Sequence, residues 1–342
     1  MELTPDQITI AITVYHRRPF LTQAIESALD QTRAARVILV DDCGPDASLG
    51  ADIRSRYGSA VGYHRNPQRR GLFDNWNACL ELCQTPWISI LHDDDFLLPE
   101  FVAATVELSR SAPGRGLYLG TTGFVDEMGQ PLRGLDAPAA PGWTDVDLEA
   151  AAFNNTFLFP GQLFRVDDAR ALGGFRATSR YCGDWEMWFK LAARYGAAKS
   201  GAKVACLRIH GGHDRGTTSI ERSGKKYGLE NVQRKRNVAL LSRNGRSLRF
   251  DRVAIQAAFP LPIKFLLTSA AGSSDRILAY NVELLRRSRA PNWRYRAFQA
   301  LTAGLGSQFP VLVSRIWNFR RRRQTQPVYA LSGSHGKGAL PT

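Results

Sequence analysis

The chain has 342 residues, of which 44% are hydrophobic, and a formal net charge of +14 at pH 7. This length and hydrophobic content exclude a disordered polymer and allow a large core and two or more domains. The positive charge indicates attraction to anions such as phosphorylated small molecules, anionic lipid or nucleic acid. The five cysteines form no CxxC pair and no zinc spacing, which indicates reduced thiols rather than a disulfide framework.

The first third of the chain alternates between strand and helix patterns. Residues 8–15, ITIAITVY, are β-branched and almost uncharged, which predicts a parallel strand buried on both faces. The segment HRRPFLTQAIESALDQ then carries an apolar helical stripe, and RVILVDD predicts a second buried strand. The alternation continues through AVGYHRN, LFDNWNACLELC, PWISILH and EFVAATVELSR. This order predicts an α/β fold with a doubly wound sheet.

Polar residues follow three of these predicted strands. Tyr15, the pair Asp41 and Asp42, and the run 93–95 all stand at predicted strand ends, where open α/β sheets bind ligands. The run within WISILHDDDFLLPE is unusual, because adjacent carboxylates repel one another and cost stability beside a buried strand. The run therefore predicts a cation or a polar network as its partner. A solvated turn that caps the next helix is the alternative.

The second half of the chain predicts a continuation of the core and then a different region. GDWEMWFKLAARYG has helical spacing, and AKVACLRIH predicts a last strand. Beyond about residue 246 the sequence changes to short apolar helices with many arginines and a Gly/Ser/Pro tail. We expect a catalytic-type domain at 1–245, a basic helical extension at 246–323 and a disordered tail at 324–342.

Four motifs occur in the order ITVYHRRPFLTQAIESALDQT, VILVDDCGPD, ISILHDDDFLLP and GDWEMWFKLA. Together they resemble the family 2 glycosyltransferases, and the resemblance spans roughly residues 7–215. It implies the GT-A fold, a Rossmann-like α/β/α sandwich with a mostly parallel sheet, here with a C-terminal helical extension. It also implies a metal-dependent enzyme of the hexosyltransferase type that transfers a sugar from a nucleotide-diphosphate sugar with inversion.

The resemblance implies a set of nucleotide-binding residues at the strand ends. We assign this role to Thr13, Tyr15, Asp41, Asp42, Asn66 and Asp93. A carboxylate can accept a hydrogen bond from a base or a ribose hydroxyl, and an aromatic ring can cover a flat base. The alternatives are that Tyr15 belongs to the core and that Asp41 caps the next turn.

The resemblance also implies a metal site. The family's Asp-x-Asp motif matches His92, Asp93 and Asp94, so this chain departs from the pattern at the first position. We assign Asp94 and, from the loop RIHGGHDRG, His210 to Mg²⁺ or Mn²⁺, since hard cations take carboxylates and complete their shell with phosphates. His92 could contact the metal or form part of the wall, and Arg208 could be a surface residue.

The catalytic base of the family lies in an acidic pair that opens a helix, which places it at Asp184. Gly183 stands where the family usually has glutamate. A carboxylate beside an apolar wall can have the raised pKa that a general base requires, although Asp184 could also be only a helix cap. Glu186 is the fallback base. Trp185 and Trp188 could stack on a sugar, but at helical spacing we expect one of them to belong to the core.

We therefore expect a glycosyltransferase that acts on an acceptor hydroxyl in bacterial cell-surface polysaccharide or glycolipid synthesis, with a UDP- or dTDP-linked donor. The acceptor would be a glycan or a lipid-linked saccharide. The N-terminus shows no signal peptide pattern, so we expect a cytoplasmic protein, with a peripheral contact of its basic C-terminal region on an anionic membrane. The alternative is a non-catalytic protein that binds anions or nucleic acid, although no nucleic-acid motif is recognised.

Overall fold

The structure is a computed structural model, and it describes residues 3–16, 19–132, 141–153, 155–209 and 225–243. The chain divides into two compact units, Met1–Thr218 with Gly228–Val253 and Ser219–Tyr227 with Ala254–Thr342. Almost all of the described residues belong to the first unit. The predicted domain boundaries and the predicted C-terminal extension and tail lie outside the described residues and stay predictions.

The described strands form one mixed sheet. They are β1 (Ile8–Val14), β2 (Arg36–Asp41), β3 (Val61–Arg65), β4 (Trp87–His92), β5 (Phe96–Leu97), β6 (Leu117–Val125), β7 (Trp143–Asp145), β8 (Gln162–Arg165) and β9 (Ala197–Arg208). Their order is β3-β2-β1-β4-β8-β6-β9-β5, with β7 paired to β9. Strands β1, β2, β3, β4, β6 and β9 run in one direction, and β5, β7 and β8 run against them.

The described helices connect these strands. They are α1 (Leu21–Leu29), α2 (Leu49–Tyr57), α3 (Leu72–Leu82), α4 (Phe101–Ser111), α5 (Leu148–Phe153), α6 (Val166–Ala171), α7 (Gly183–Tyr195) and α8 (Lys225–Arg243). A 3₁₀ turn over Ala177–Cys182 leads directly into α7. Within the described residues, the helices and strands predicted from the periodicity form, and β9 begins earlier than the strand predicted from AKVACLRIH.

The two faces of the sheet are covered by different helices. Alternate residues of β1 (Ile8, Ile10, Ile12 and Val14) share one core with buried side chains of α1, α2 and α4. The opposite face packs on α3 and α7, whose tryptophans contact a ring at the end of β4 and a ring in β8. Because successive side chains of a strand point to opposite faces, a strand covered on both faces is uncharged and mostly apolar along its length. The uninterrupted apolar runs of the sequence have this cause.

The cysteines and the helices agree with the compositional expectations. All five cysteines are free thiols, and four of them are buried. Burial raises the pKa of the Cys182 thiol to about 12. Among the described helices, none has both the length and the apolar character needed to cross a membrane. The apolar segment 253–272 lies outside the described residues.

We expect Ile12→Ala to lower the free energy of unfolding by about 2–5 kcal/mol, because Ile12 is fully buried in the central strand and the change leaves a cavity. Arg54→Ala, on the exposed side of α2, is the control and should change it by less than about 0.5 kcal/mol. Urea denaturation measures both. An equal, small effect of the two substitutions would contradict the central position of β1.

Candidate active site

Three neighbouring strands end side by side at one edge of the sheet. Strand β1 lies between β2 and β4, with Val14 opposite Asp41 and Thr13 opposite His92. Because all three strands are parallel, Tyr15 and the acids that follow β2 and β4 emerge at the same edge. The structure thus brings together the strand ends that the sequence analysis assigned to one crevice.

Asp41 holds the loop that follows β2. Its carboxylate accepts hydrogen bonds from the Gly44 amide (2.7 Å), the Tyr63 hydroxyl (2.7 Å) and the Arg65 guanidinium (2.5 Å), and its side chain is buried. Burial and the hydrogen bond to Asp41 raise the pKa of Tyr63 to about 12. These contacts match the turn-capping alternative, so Asp41 shapes the loop and a nucleotide would have to share its oxygens with three protein donors.

Gly44 is required in this loop by close packing. A Cβ atom at this position would lie 2.0 Å from the carbonyl oxygen of Tyr15. Any side chain at residue 44 would therefore push the end of β1 away from the end of β2. The glycine keeps the two strand ends at the separation that the crevice has in this structure.

Asp42 organises the next loop along the edge. Its carboxylate accepts from the backbone amides of Arg70 (2.7 Å) and Gly71 (2.8 Å) and from the Asn66 amide (3.2 Å). Asn66 also donates to the side chain of Asn75 (2.9 Å), and both asparagines are buried. Asp42 and Asn66 are thus neighbours, as the predicted set requires, in a buried polar network that links the end of β2 to the start of α3.

The residues at the end of β1 differ in exposure. Thr13 is buried, and its hydroxyl lies 3.5 Å from the Leu91 carbonyl oxygen. Tyr15 is half-buried rather than part of the core, and the Arg69 guanidinium lies 4.2 Å from the centre of its ring. The Arg69 guanidinium therefore covers one face of the Tyr15 ring, and a planar base would have to bind on the other face or replace the guanidinium.

The turn after β4 concentrates the acids. His92, Asp94 and Asp95 each offer a ligand atom, and these atoms lie within 4.8 Å of one another. Asp93 and Asp95 are buried. Burial, and then the neighbouring Asp94 charge, raise the pKa of Asp95 well above its ordinary value. The residues present fit a divalent cation, because two carboxylates and an imidazole are its ordinary ligands and a cation would relieve their crowding.

Arg208, at the end of β9, fastens this turn. Its backbone amide donates to Asp95 Oδ1 (2.9 Å), and its Nε donates to the Asp94 carbonyl oxygen (3.0 Å). Its other guanidinium nitrogens donate to the carbonyl oxygens of Asp126 and Glu127 and to the side chain of Gln23. Arg208 is 5% exposed, so the surface-residue alternative is wrong.

Sequence analysis missed the role of Arg208, although the strand pattern could have indicated its position. Arg208 closes a buried strand directly before the loop that resembles the family's histidine loop. An arginine there must pair with acceptors, because an unpaired buried charge is costly. His210, the second predicted metal ligand, lies outside the described residues.

A layer of aromatic rings separates the acidic turn from α7. The His92 ring stacks on Phe159 (centroids 3.9 Å apart) and faces Trp76 (5.6 Å). Phe159 also contacts Trp188 of α7 (6.0 Å), and Trp76 contacts Phe73 (5.1 Å). One ring therefore connects the turn after β4 to the helix that carries the predicted base.

Asp184 lies in the first turn of α7 and is half-buried. Its Oδ1 accepts a hydrogen bond from the Trp185 amide (2.7 Å). Burial raises the pKa of Asp184 to about 6, although the hydrogen bonds that it accepts oppose this change. A carboxylate with this pKa is ionised near neutral pH and still basic enough to take a proton, as a general base requires.

The absence of glutamate before Asp184 has a steric reason. A Cβ atom on Gly183 would lie 1.9 Å from the Phe73 ring. Phe73 belongs to α3 and occupies the space that a side chain at residue 183 would need. Asp184 is therefore the candidate base at the start of α7, since the next acid, Glu186, forms ion pairs with other side chains.

Glu186 belongs to an ion-pair cluster. Its buried carboxylate contacts Arg176, Lys190 (2.6 Å) and Arg236 of α8 (3.8 Å). Its carboxylate is thus engaged in ion pairs with three cations, which argues against its role as fallback base. Trp185 and Trp188 are both buried, so the core alternative is correct for both and neither presents a ring face to a sugar.

We expect Arg208→Ala to lower the free energy of unfolding by about 3–5 kcal/mol, because it removes a buried charged side chain that donates four partly buried hydrogen bonds. Arg115→Ala breaks an exposed ion pair with Asp145 and should cost less than about 1 kcal/mol. Urea denaturation of both variants makes the comparison. A cost for Arg208→Ala as small as that of the control would contradict its fastening role.

Solved structures of two glycosyltransferases are similar to this chain. The S. aureus TarS 1–349 structure in complex with UDP-GlcNAc gives a TM-score of 0.55 at 14% identity and covers 92% of this chain and 91% of that chain. The mannosyltransferase PcManGT from Pyrobaculum calidifontis, in complex with GDP-Man and Mn²⁺, gives 0.52 at 18% identity, with 93% and 90% covered. At these identities the similarity shows the fold, and the predicted GT-A fold is confirmed.

The part of the chain that contains the first three motifs matches a family model. No curated protein sequence matches the chain. The family model described as glycosyl transferase family 2 matches residues 9–135, which contain the first three of the four motifs. The resemblance to the family 2 glycosyltransferases is therefore confirmed over residues 9–135.

Proposed function

We propose that the protein is a metal-dependent, inverting glycosyltransferase that uses a nucleotide-diphosphate sugar. The observation that carries the proposal is the pairing of two acidic centres across one aromatic layer. The crowded turn at His92–Asp95 fits a cation, and Asp184 has a pKa of about 6. Transfer of a sugar needs a cation that stabilises the leaving diphosphate and a base that takes the proton of the attacking hydroxyl.

The loops after β1, β2 and β3 would bind the nucleotide. Tyr15 offers a half-buried ring for the base, and Asp42 holds the 70–71 backbone close to the strand ends. Thr13, Asn66 and Asp93 complete the proposed set, with Asp41 shaping the loop. The similar structures contain UDP-GlcNAc in one case and GDP-Man in the other. UDP and GDP are therefore candidate nucleotides, together with the dTDP expected from the sequence.

Asp94 would hold the metal, together with Asp95 and with His210 from the loop outside the described residues. Bound Mg²⁺ or Mn²⁺ would neutralise the diphosphate charge that develops as the sugar leaves. Asp184 would accept the proton of an acceptor hydroxyl while that oxygen forms its bond to the anomeric carbon. The bond between the anomeric carbon and the diphosphate breaks in the same step, which inverts the configuration.

The proposed acceptor is a glycan or a lipid-linked saccharide in bacterial cell-surface polysaccharide or glycolipid synthesis. The argument is the net charge of +14 and the arginine-rich sequence of residues 246–323, which would attract an anionic membrane surface. On this proposal the protein works at the cytoplasmic face of the membrane.

Calorimetric titration with UDP, dTDP and GDP, each with and without Mn²⁺, tests the proposal. We expect one nucleotide to bind more tightly when Mn²⁺ is present, because the diphosphate and the acidic turn share the cation. If a folded sample binds none of the three under either condition, the transferase proposal fails and an anion-binding protein without activity replaces it.

We expect Asp184→Asn to keep donor binding and to lower kcat by about 10²–10⁴-fold, because asparagine still accepts the hydrogen bond from the Trp185 amide but cannot take a proton. In the unmodified enzyme, kcat/KM should rise with pH through about 6, since the raised pKa of Asp184 leaves the base protonated below that value. Asp167→Asn, an exposed acid at the start of α6, is the control. Turnover of Asp184→Asn equal to that of the control would exclude Asp184 as the base.

We expect Asp94→Ala to abolish the part of nucleotide binding that depends on Mn²⁺, because the cation loses a carboxylate ligand. Binding without metal should persist, since the base and ribose contacts are unchanged. Calorimetry with the nucleotide identified above measures both quantities. Glu107→Ala, an exposed acid on α4, is the control. Full metal dependence in Asp94→Ala would place the metal elsewhere.

A further inference from the structure

We propose that His92 is a ligand of the metal and that its imidazole makes the site select Mn²⁺ over Mg²⁺. This inference rests on the proposed function and adds the identity of the cation. Its starting point is the departure of this chain from the family pattern, in which His92 stands where the Asp-x-Asp motif begins with a carboxylate.

The distances in the acidic turn fit a shared cation. His92 Nδ1 lies 3.9 Å from Asp95 Oδ2, which is too long for a hydrogen bond. Two ligand atoms that each lie about 2.1 Å from one cation are about 3 to 4.2 Å apart, depending on the angle between them. The ligand atom of Asp94 lies within the same 4.8 Å group. One cation can therefore contact all three residues after small movements of their side chains.

One oxygen of the Asp95 carboxylate already accepts a hydrogen bond from the protein, and this bond fixes the orientation of the carboxylate. Asp95 Oδ1 accepts the hydrogen bond of the Arg208 amide, while Oδ2 is the atom that faces His92. Arg208 Nε also holds the carbonyl oxygen of Asp94. The backbone that carries two of the ligands is thus fixed before any cation binds.

The aromatic layer fixes the plane of the imidazole. The His92 ring lies nearly parallel to Phe159 (17°, centroids 3.9 Å apart) and to Trp76 (16°, 5.6 Å). Trp76 is buried and packs in turn on Phe175, so the ring has little freedom to rotate. A ligand held in this way loses little conformational freedom on binding.

The donor set decides the preference among cations. Carboxylates and water suit Mg²⁺ and Mn²⁺ alike, whereas an imidazole nitrogen favours transition metals. With His92 beside the two carboxylates, the site should therefore discriminate against Mg²⁺ more strongly than it would with a third carboxylate at residue 92. Replacement of His92 by aspartate, the residue of the family pattern, should restore affinity for Mg²⁺.

Pulsed electron paramagnetic resonance of Mn²⁺ bound to the full chain tests the ligand directly, without and with the nucleotide found by calorimetry. In a His210→Ala background, which removes the other proposed imidazole ligand, we expect a coupling from a directly bound ¹⁴N nucleus. This coupling should be lost when His92→Asp is added and kept when His64→Asp, a control on β3, is added instead. Competition between Mn²⁺ and Mg²⁺ should show that His92→Asp lowers the ratio of the two affinities by about tenfold or more. Circular dichroism confirms that both variants are folded.

Three results would overturn the inference. In the His210→Ala background, bound Mn²⁺ without nitrogen coupling, or a nitrogen coupling that persists when His92→Asp is added, would exclude His92 as a ligand and leave the transferase proposal intact. An unchanged ratio of Mn²⁺ to Mg²⁺ affinity in His92→Asp would exclude its role in selectivity. Failure of the transferase proposal has a different signature, which is the absence of any nucleotide binding with either metal.

Discussion

The electrostatic repulsion among the acids that follow β4 is the constraint on which this structure depends. Two of the three carboxylates are buried, and burial removes the water that would otherwise screen them. Arg208 supplies the compensation from the protein side, since its amide and guanidinium bind the turn from the end of β9. The compensation is incomplete, because Arg208 uses most of its donors on carbonyl oxygens. The contacts with Arg208 therefore hold the turn in place without a cation, while the negative charge of the turn still attracts one.

The remainder of the edge is built by the same means, with buried side chains that bind backbone groups of neighbouring loops. Asp41 holds the loop after β2, and Asp42 holds the loop before α3. Each acid is thus a structural part of the edge as well as a candidate ligand group. The nucleotide would meet loops that are already in place, so less ordering would be needed when it binds.

The fold and the strand-end acids could be predicted from the sequence because they depend on local patterns. Apolar runs of strand length, alternating with helical stripes, determine the sheet, and parallel strands place their carboxyl ends at one edge. The partners of each acid could not be predicted. Arg208 and Asp95 are 113 residues apart, and Arg236 reaches Glu186 from a separate helix. Such contacts depend on the packing of distant segments, which residue spacing does not encode. Asp184 was assigned through its motif, whereas its pKa follows from burial.

The contact between Gly183 and Phe73 has a consequence for the routes by which this sequence could change. Glutamate at residue 183 would collide with the Phe73 ring, because even a Cβ atom would lie 1.9 Å from it. A smaller residue at 73 would remove the collision but would leave a cavity beside Trp76. Each single step is therefore unfavourable, and only the two together restore a packed arrangement. This pair acts as an epistatic barrier between the present candidate site and one with the acidic pair that is usual in family 2 glycosyltransferases.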